Sequence, residues 1–243
     1  MAKKVLIVYA HQNSRSFNAA AKNAAVDILT DQGCIVEVSD LYAMASKAAA
    51  TAEDLKGNLT CAEAFRYPDE SKLSWEQGNL SYEIAKEQSK LAEADLVIFQ
   101  FPMYWFGVPG ILKGWFDWVL TNGFDFSQDE PYGLEIFKGK KAVLSLTTGC
   151  RTAMFCVDDD MNVTLWPLQN GVLHHCGFQV LAPQVFWAPE FADAEERWNM
   201  LASWRLRLEG LLEEEPLSFT PLVCFNEKTS QLKPDDHEKH ASK

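Results

Sequence analysis

Five apolar, β-branched runs punctuate the chain: KVLIVYA at 4–10, CIVEVSDL at 34–41, DLVIFQF at 95–101, KAVLSLTT at 141–148 and FQVLAPQVFW at 178–187. They are close to continuous rather than alternating, which predicts strands covered on both faces, as in a parallel sheet. Helical spacing fills the intervals. It predicts a helix over Phe17–Asp31 capped by Ser16, and a second over Ser81–Ala94 with its charges outward. A third spans Leu165–Cys176 and stops at Gly177, and an amphipathic helix over Ala192–Leu212 is capped near Asp193. Strand–helix alternation with right-handed crossovers gives an α/β fold, a doubly wound five-stranded parallel sheet. A long insertion, Tyr42–Leu80, follows the second strand, reads as irregular and is expected to cover a face or edge. From Glu213 onward no period survives, which predicts an extended or disordered tail.

Composition narrows the function classes. The 243 residues carry 34 acidic against 22 basic side chains, a net charge of −12, which argues against nucleic acid and anionic lipid as partners. No apolar run approaches bilayer length, and the apolar start breaks at His11, as a first strand does and a signal peptide does not. Six scattered cysteines (Cys34, Cys61, Cys150, Cys156, Cys176, Cys224) form no CxxC, so free thiols and a cytoplasmic location are expected. The adjacent His174, His175 and Cys176 do not share a helical face, and no metal site is expected.

In an open parallel sheet, ligands bind where the strands end. Three segments lie there: HQNSRSFN (11–18), PMYWFG (102–107) and TTGC (147–150). The first has no GxGxxG but delivers His11, Ser14, Ser16 and Asn18 just before a helix amino terminus, groups suited to phosphate. Thr147, Thr148 and Gly149 add hydroxyls and a permissive backbone, and Trp105 and Phe106 add a wall for a flat heterocycle. Together they suggest a flavin. Each also has a plainer reading: the aromatic cluster as subunit contact, His11 as a structural hydrogen-bonder, TTG as a common strand exit, and Arg197 as half of a surface ion pair.

The blocks KKVLIVYAHQNSRSFN, VSDLYAM, ADLVIFQFPMYWFGVPGILKGWFDWVL, KKAVLSLTTG and DMNVTLWPLQNGVLHHCGFQVLAPQ, with the closing helix, resemble in order the NAD(P)H:quinone reductases, or DT-diaphorases. That resemblance implies a flavodoxin-like fold, FAD, a homodimer with two active sites at its interface, and two-electron reduction of small quinones by NAD(P)H or a related dihydronicotinamide. Hydride would pass through flavin N5 in ping-pong order. It places His11, Phe17, Asn18, Arg66 and Arg197 on the pyrophosphate and adenosine side of FAD. Met103, Tyr104, Trp105 and Phe106 fall against the ring, and Thr147, Thr148, Gly149 and Cys150 on its polar contacts. The substrate side is given by Trp105, Phe106, Phe126, Gln128, Gly149 and His175. The catalytic domain is expected over 1–220, with 221–243 a short, partial C-terminal extension.

The same comparison marks departures. Cys150 stands where the family has a second glycine, and Phe155 where it has a tyrosine that stabilises the reduced flavin; the matching histidine is absent. Phe155 keeps the ring but offers no hydroxyl. His175 replaces an aromatic that faces the quinone from the partner chain, and could stack or give a proton to the reduced quinone. Asn170 and Phe219 stand at two positions where a zinc-carrying subfamily has ligands, so zinc is not expected. Two functions stay open on the sequence: a quinone reductase, with Phe155 and His175 nearest the chemistry, or a flavin-binding protein whose activity has weakened and which acts through partners.

Overall fold

A computed structural model of the chain describes residues 2–57, 59–60, 64–124, 137–151 and 160–219. The sheet consists of β1 (Lys4–Tyr9), β2 (Ile35–Asp40), β3 (Leu96–Pro102), β4 (Lys141–Thr147), β5 (Gln179–Val180) and β6 (Gln184–Phe186). Its order is β2-β1-β3-β4-β5, all parallel, with β6 also on β4. Side chains alternate across it, as strand geometry requires. Val5 and Ile7 of β1 point into one core with Ala21, Ala24, Ala25 and Leu29 of α1 (Phe17–Asp31) and Trp204 and Leu208 of α6 (Ala194–Gly210). Leu6 and Val8 point the other way, into a core with Leu91, Leu112, Trp115 and Phe116. The latter residues belong to α3 (Tyr82–Glu93) and α4 (Gly110–Val119). Both faces are therefore dry, which explains the unbroken apolar runs. On the first face α1 and α6 are also tied directly: Trp204, fully buried, donates its indole N–H to the Ala21 carbonyl at 3.1 Å.

Four expectations need correction. The fifth strand is not one run. Between Val180, paired with Ala142, and Gln184, paired with Ser145, the chain advances four residues while β4 advances three. Pro183 can give no N–H to the ladder, so the extra residue is a bulge. Arg207 Nη2 pins it by donating to the Ala182 carbonyl (2.5 Å). The insertion is not wholly irregular. It holds α2 (Tyr67–Glu76), opened by a proline in its first turn and by Asp69 and Glu70, acids that suit a helix amino terminus. The helix expected at Leu165–Cys176 begins at Asp160 as α5 (Asp160–Leu168), carries Pro167, and widens into a π-turn over Gln169–His174. Finally, the segment after Glu213 is docked at its start: the Leu217 N–H donates to the Val180 carbonyl at 2.7 Å, and Phe219 stacks on His174 at 4.7 Å.

Candidate active site

The carboxyl ends of β1, β3 and β4 open onto a cavity of about 930 Å³, closed on its far side by α6. That volume lies at the upper end of the range of small-molecule sites, about 300–1,000 Å³. His11, Arg15, Ser16, Phe17 and Asn18 form one wall, and Met103, Tyr104, Thr147, Thr148 and Gly149 the floor and second wall. Pro189, Glu190, Ala194, Arg197, Trp198 and Leu201 form the third.

The first wall is fixed by short-range side chain to backbone bonds, the reason this loop is rich in His, Asn and Ser. The Asn13 N–H donates to His11 Nδ1 at 2.9 Å, and Asn13 Oδ1 accepts from the Arg15 N–H at 2.9 Å. Ser16 Oγ caps α1 by accepting from the Ala19 N–H at 3.1 Å. With Nδ1 an acceptor, His11 carries its proton on Nε2, and burial lowers its pKa, so the ring is neutral at pH 7. At the start of α1 the Phe17 and Asn18 N–H groups have no acceptor inside the helix. Phe17 itself packs edge-on against Phe186, ring centres 5.1 Å apart.

On the floor, the two threonines differ. Thr148 spends its hydroxyl on the backbone, donating to the Cys150 carbonyl (2.7 Å) and accepting from the Ala188 N–H (3.2 Å). Thr147 Oγ1 accepts from Asn18 Nδ2 at 2.9 Å. Opposite, Arg197 is held across the mouth by a bond from Nη1 to the Pro189 carbonyl, 3.3 Å.

The aromatic turn follows Met103. Tyr104 and Gly107 exchange N–H···O bonds of 3.1 and 3.0 Å, closing a two-residue turn on Trp105 and Phe106. Both have left-handed backbones, φ 50° and 59°. That conformation favours Asn and Gly and costs a bulky side chain about 1–2 kcal/mol. The result is a nearly bare indole, 98% exposed, and a phenyl ring 64% exposed, presented beside the cavity. Backbone strain of this kind concentrates at functional sites.

The structure thus brings together His11, Phe17, Asn18, Met103, Tyr104, Thr147, Thr148, Gly149 and Arg197 around one cavity. Trp105 and Phe106 stand next to it and do not line it within the single chain. Cys150 packs its side chain, partly buried, against the core on the α3–α4 face of the sheet. Arg66 lies apart, exposed and paired with Asp69 at 3.0 Å. His175, half-buried at the end of the π-turn, is also outside the cavity wall, and its pKa is lowered by burial. Phe126, Gln128 and Phe155 fall outside the described residues, as do 221–243. Among the described residues no three His, Cys, Asp or Glu side chains gather as metal ligands, and no helix is long and apolar enough to cross a membrane. Sequence reading missed the wall from Ala194 to Leu201. Its signal was present: Ala194 and Leu201 lie three and four residues from Arg197, and Trp198 lies four from Ala194 and three from Leu201, spacings that gather them along one side of the helix.

These features define a protein of flavodoxin-like fold, and residues 3–208 match the family of that description. The chain is 52% identical over 228 residues to the ribosyldihydronicotinamide dehydrogenase [quinone] of Pongo abelii, covering 93% of this chain and 99% of the relative. It is 46% identical to NAD(P)H dehydrogenase [quinone] 1 of Cavia porcellus, covering 92% of this chain and 82% of that one. A solved candidate quinone reductase from Klebsiella pneumoniae superposes with a TM-score of 0.90 at 37% identity, over 96% of this chain and 95% of its own. The chain belongs to the NAD(P)H:quinone reductase family.

Proposed function

We propose that the chain binds FAD in this cavity and reduces small quinones by two electrons at the expense of a dihydronicotinamide. The observation that carries the reading is the strained Trp105–Phe106 turn, set beside a cavity large enough for a dinucleotide. The lining fits the group: unpaired N–H groups at the start of α1 and the Arg197 guanidinium suit a pyrophosphate and adenosine. Phe17, Met103 and Tyr104 suit a flat ring. Family membership makes the chain an oxidoreductase, and its relatives carry quinone and dihydronicotinamide in their names.

When bound, FAD supplies a ring that accepts hydride at N5 from the donor and yields it to the quinone in a second half-reaction. The protein's share is orientation. Neutral His11 offers an Nε2–H without adding charge, and Trp105 and Phe106 give the ring and its stacked substrate an apolar bed. A second copy of the chain covers the exposed turn and completes the substrate side, which brings His175 of one chain toward the site of the other. At pH 7 His175 is a neutral hydrogen-bond donor to a quinone oxygen rather than a charged acid, since burial lowers its pKa.

The test is anaerobic. Flavin released from the purified protein is identified as FAD or FMN. The loaded protein is then mixed with NADPH, or with dihydronicotinamide riboside, and afterwards with menadione. Bleaching of the visible band and its recovery are expected; a band that neither donor bleaches overturns the enzymatic reading.

A further inference from the structure

Four buried polar side chains stand in file under the cavity floor. Ser145 Oγ donates to Gln100 Oε1 at 2.7 Å, Gln100 Nε2 donates to Asn18 Oδ1 at 2.8 Å, and Asn18 Nδ2 donates to Thr147 Oγ1 at 2.9 Å. The sheet makes the file possible. Gln100 and Ser145 are register partners on β3 and β4, Thr147 lies two residues further along the same face, and Asn18 descends from α1 onto it. Asn18 and Thr147 line the cavity, whereas Gln100 and Ser145, 1% and 0% exposed, do not reach it. Amides at such depth are costly unless fully bonded, and apolar residues would fill the same space.

The direction of the file is fixed at its buried end. A side-chain amide has one accepting and one donating end, so turning one amide forces the other to turn. In the reversed file Ser145 would accept from Gln100, and a fully buried hydroxyl would lose the acceptor of its own proton. Ser145 therefore donates, each member donates onward, and Thr147 receives. Its oxygen then holds the Asn18 N–H, and its proton is free for the cavity it lines. Thr148, one residue later, has both capacities committed to backbone. One threonine shapes the loop, and its neighbour is left to address the ligand.

We propose that Ser145 and Gln100 are positioning residues that orient Asn18 and so present the Thr147 hydroxyl as a hydrogen-bond donor to an acceptor atom of the bound flavin. The inference rests on the flavin site proposed above and names what sets its polarity. The experiment is a double-variant cycle on flavin dissociation constants, with melting of the flavin-free proteins as the check on folding. Gln100→Met, Ser145→Ala and Thr147→Val should each weaken flavin binding about fivefold to tenfold, the equivalent of one neutral hydrogen bond. Gln100→Met added to Thr147→Val should weaken it no further, and Thr147→Ser, which keeps the hydroxyl, should bind as the parent does. If Gln100→Met does not fold, the cycle of Ser145→Ala with Thr147→Val gives the same answer. Losses that add, or constants that do not change, overturn the relay while leaving the flavin site standing. A parent protein that takes up no flavin overturns the functional reading, and the relay with it.

Discussion

Gly114 sits in the middle of α4, where the backbone of Ala48 from the insertion crosses the helix. A Cβ built on Gly114 lies 2.6 Å from the Ala48 carbonyl carbon and 2.7 Å from its Cα. Carbon atoms in contact rest about 3.5–4.0 Å apart, so Gly114→Ala asks for roughly 1 Å of movement, and both sides of the contact are backbone. Such overpacking costs typically 1–3 kcal/mol, and a rigid contact belongs near the top of that range. Against it stands the gain of about 1 kcal/mol from replacing glycine by alanine inside a helix. The net is about 2 kcal/mol of destabilisation, which for a chain of this size lowers Tm by about 4–8 °C. The control is Gly110→Ala at the start of the same helix, where a Cβ meets nothing within 4 Å and the change is expected to be neutral or stabilising. Thermal unfolding of both variants without ligand reads the difference. A Gly114→Ala protein that melts with or above the parent refutes the close crossing, and with it the view that the insertion is clamped to the helix following the aromatic turn.

Three further outcomes are expected. Glu87, fully buried, holds Lys90 at 2.6 Å and the Trp115 indole N–H at 2.9 Å; Glu87→Ala leaves the indole N–H without its acceptor and the ammonium with only Ser39 at 3.0 Å and Glu37 at 3.7 Å, and should cost about 3 kcal/mol in urea unfolding. Trp105→Gly relieves a left-handed indole that buries almost nothing within one chain, so the flavin-free single chain should hold or gain up to about 1 kcal/mol while flavin retention by the assembled protein falls. Retention equal to the parent's would sink the stacking role. Burial lowers the pKa of His11, His174 and His175. The unfolded chain therefore takes up these protons near pH 6.5 and the folded chain only below it. Their contribution is full above pH 6.5 and is lost as the pH falls through the folded values. Replacing His174 and His175 together by Gln should flatten the fall in stability between pH 7 and pH 5, and an unaltered slope would speak against their burial as neutral rings.

The sheet was legible because its central strands β1, β3 and β4 are buried on both sides and say so residue by residue. The bulge at Pro183 was not, since it depends on register against β4 and on Arg207 reaching back from α6. α4 passed unnoticed because Leu112, Trp115, Phe116 and Val119 are buried on so wide a stripe that it resembles a continued apolar run. α2 did carry its signal in Pro68, Asp69 and Glu70, but aromatics and alanines around it hid the period. For the site, the strand-end rule located the loops from His11, Met103 and Thr147, whereas Trp198 and Leu201 reach the cavity from a helix far along the chain. Gln100 is visible as the one polar residue in VIFQF, yet its meaning lies in Ser145 and Asn18, which only the fold brings beside it.

The pairing of α1 with α6 has a consequence for how the chain is made. Ala21 and Trp204 are 183 residues apart, so the apolar face of α1 leaves the ribosome long before its cover exists. At typical synthesis rates the interval is roughly ten to forty seconds. During it, the strand order allows β1 to pair with β2 at once, but the side of α1 that Trp204 and Leu208 cover stays wet until α6 is translated. A chain interrupted anywhere before Trp204 keeps that greasy stripe open, which makes it a target for chaperones and proteases.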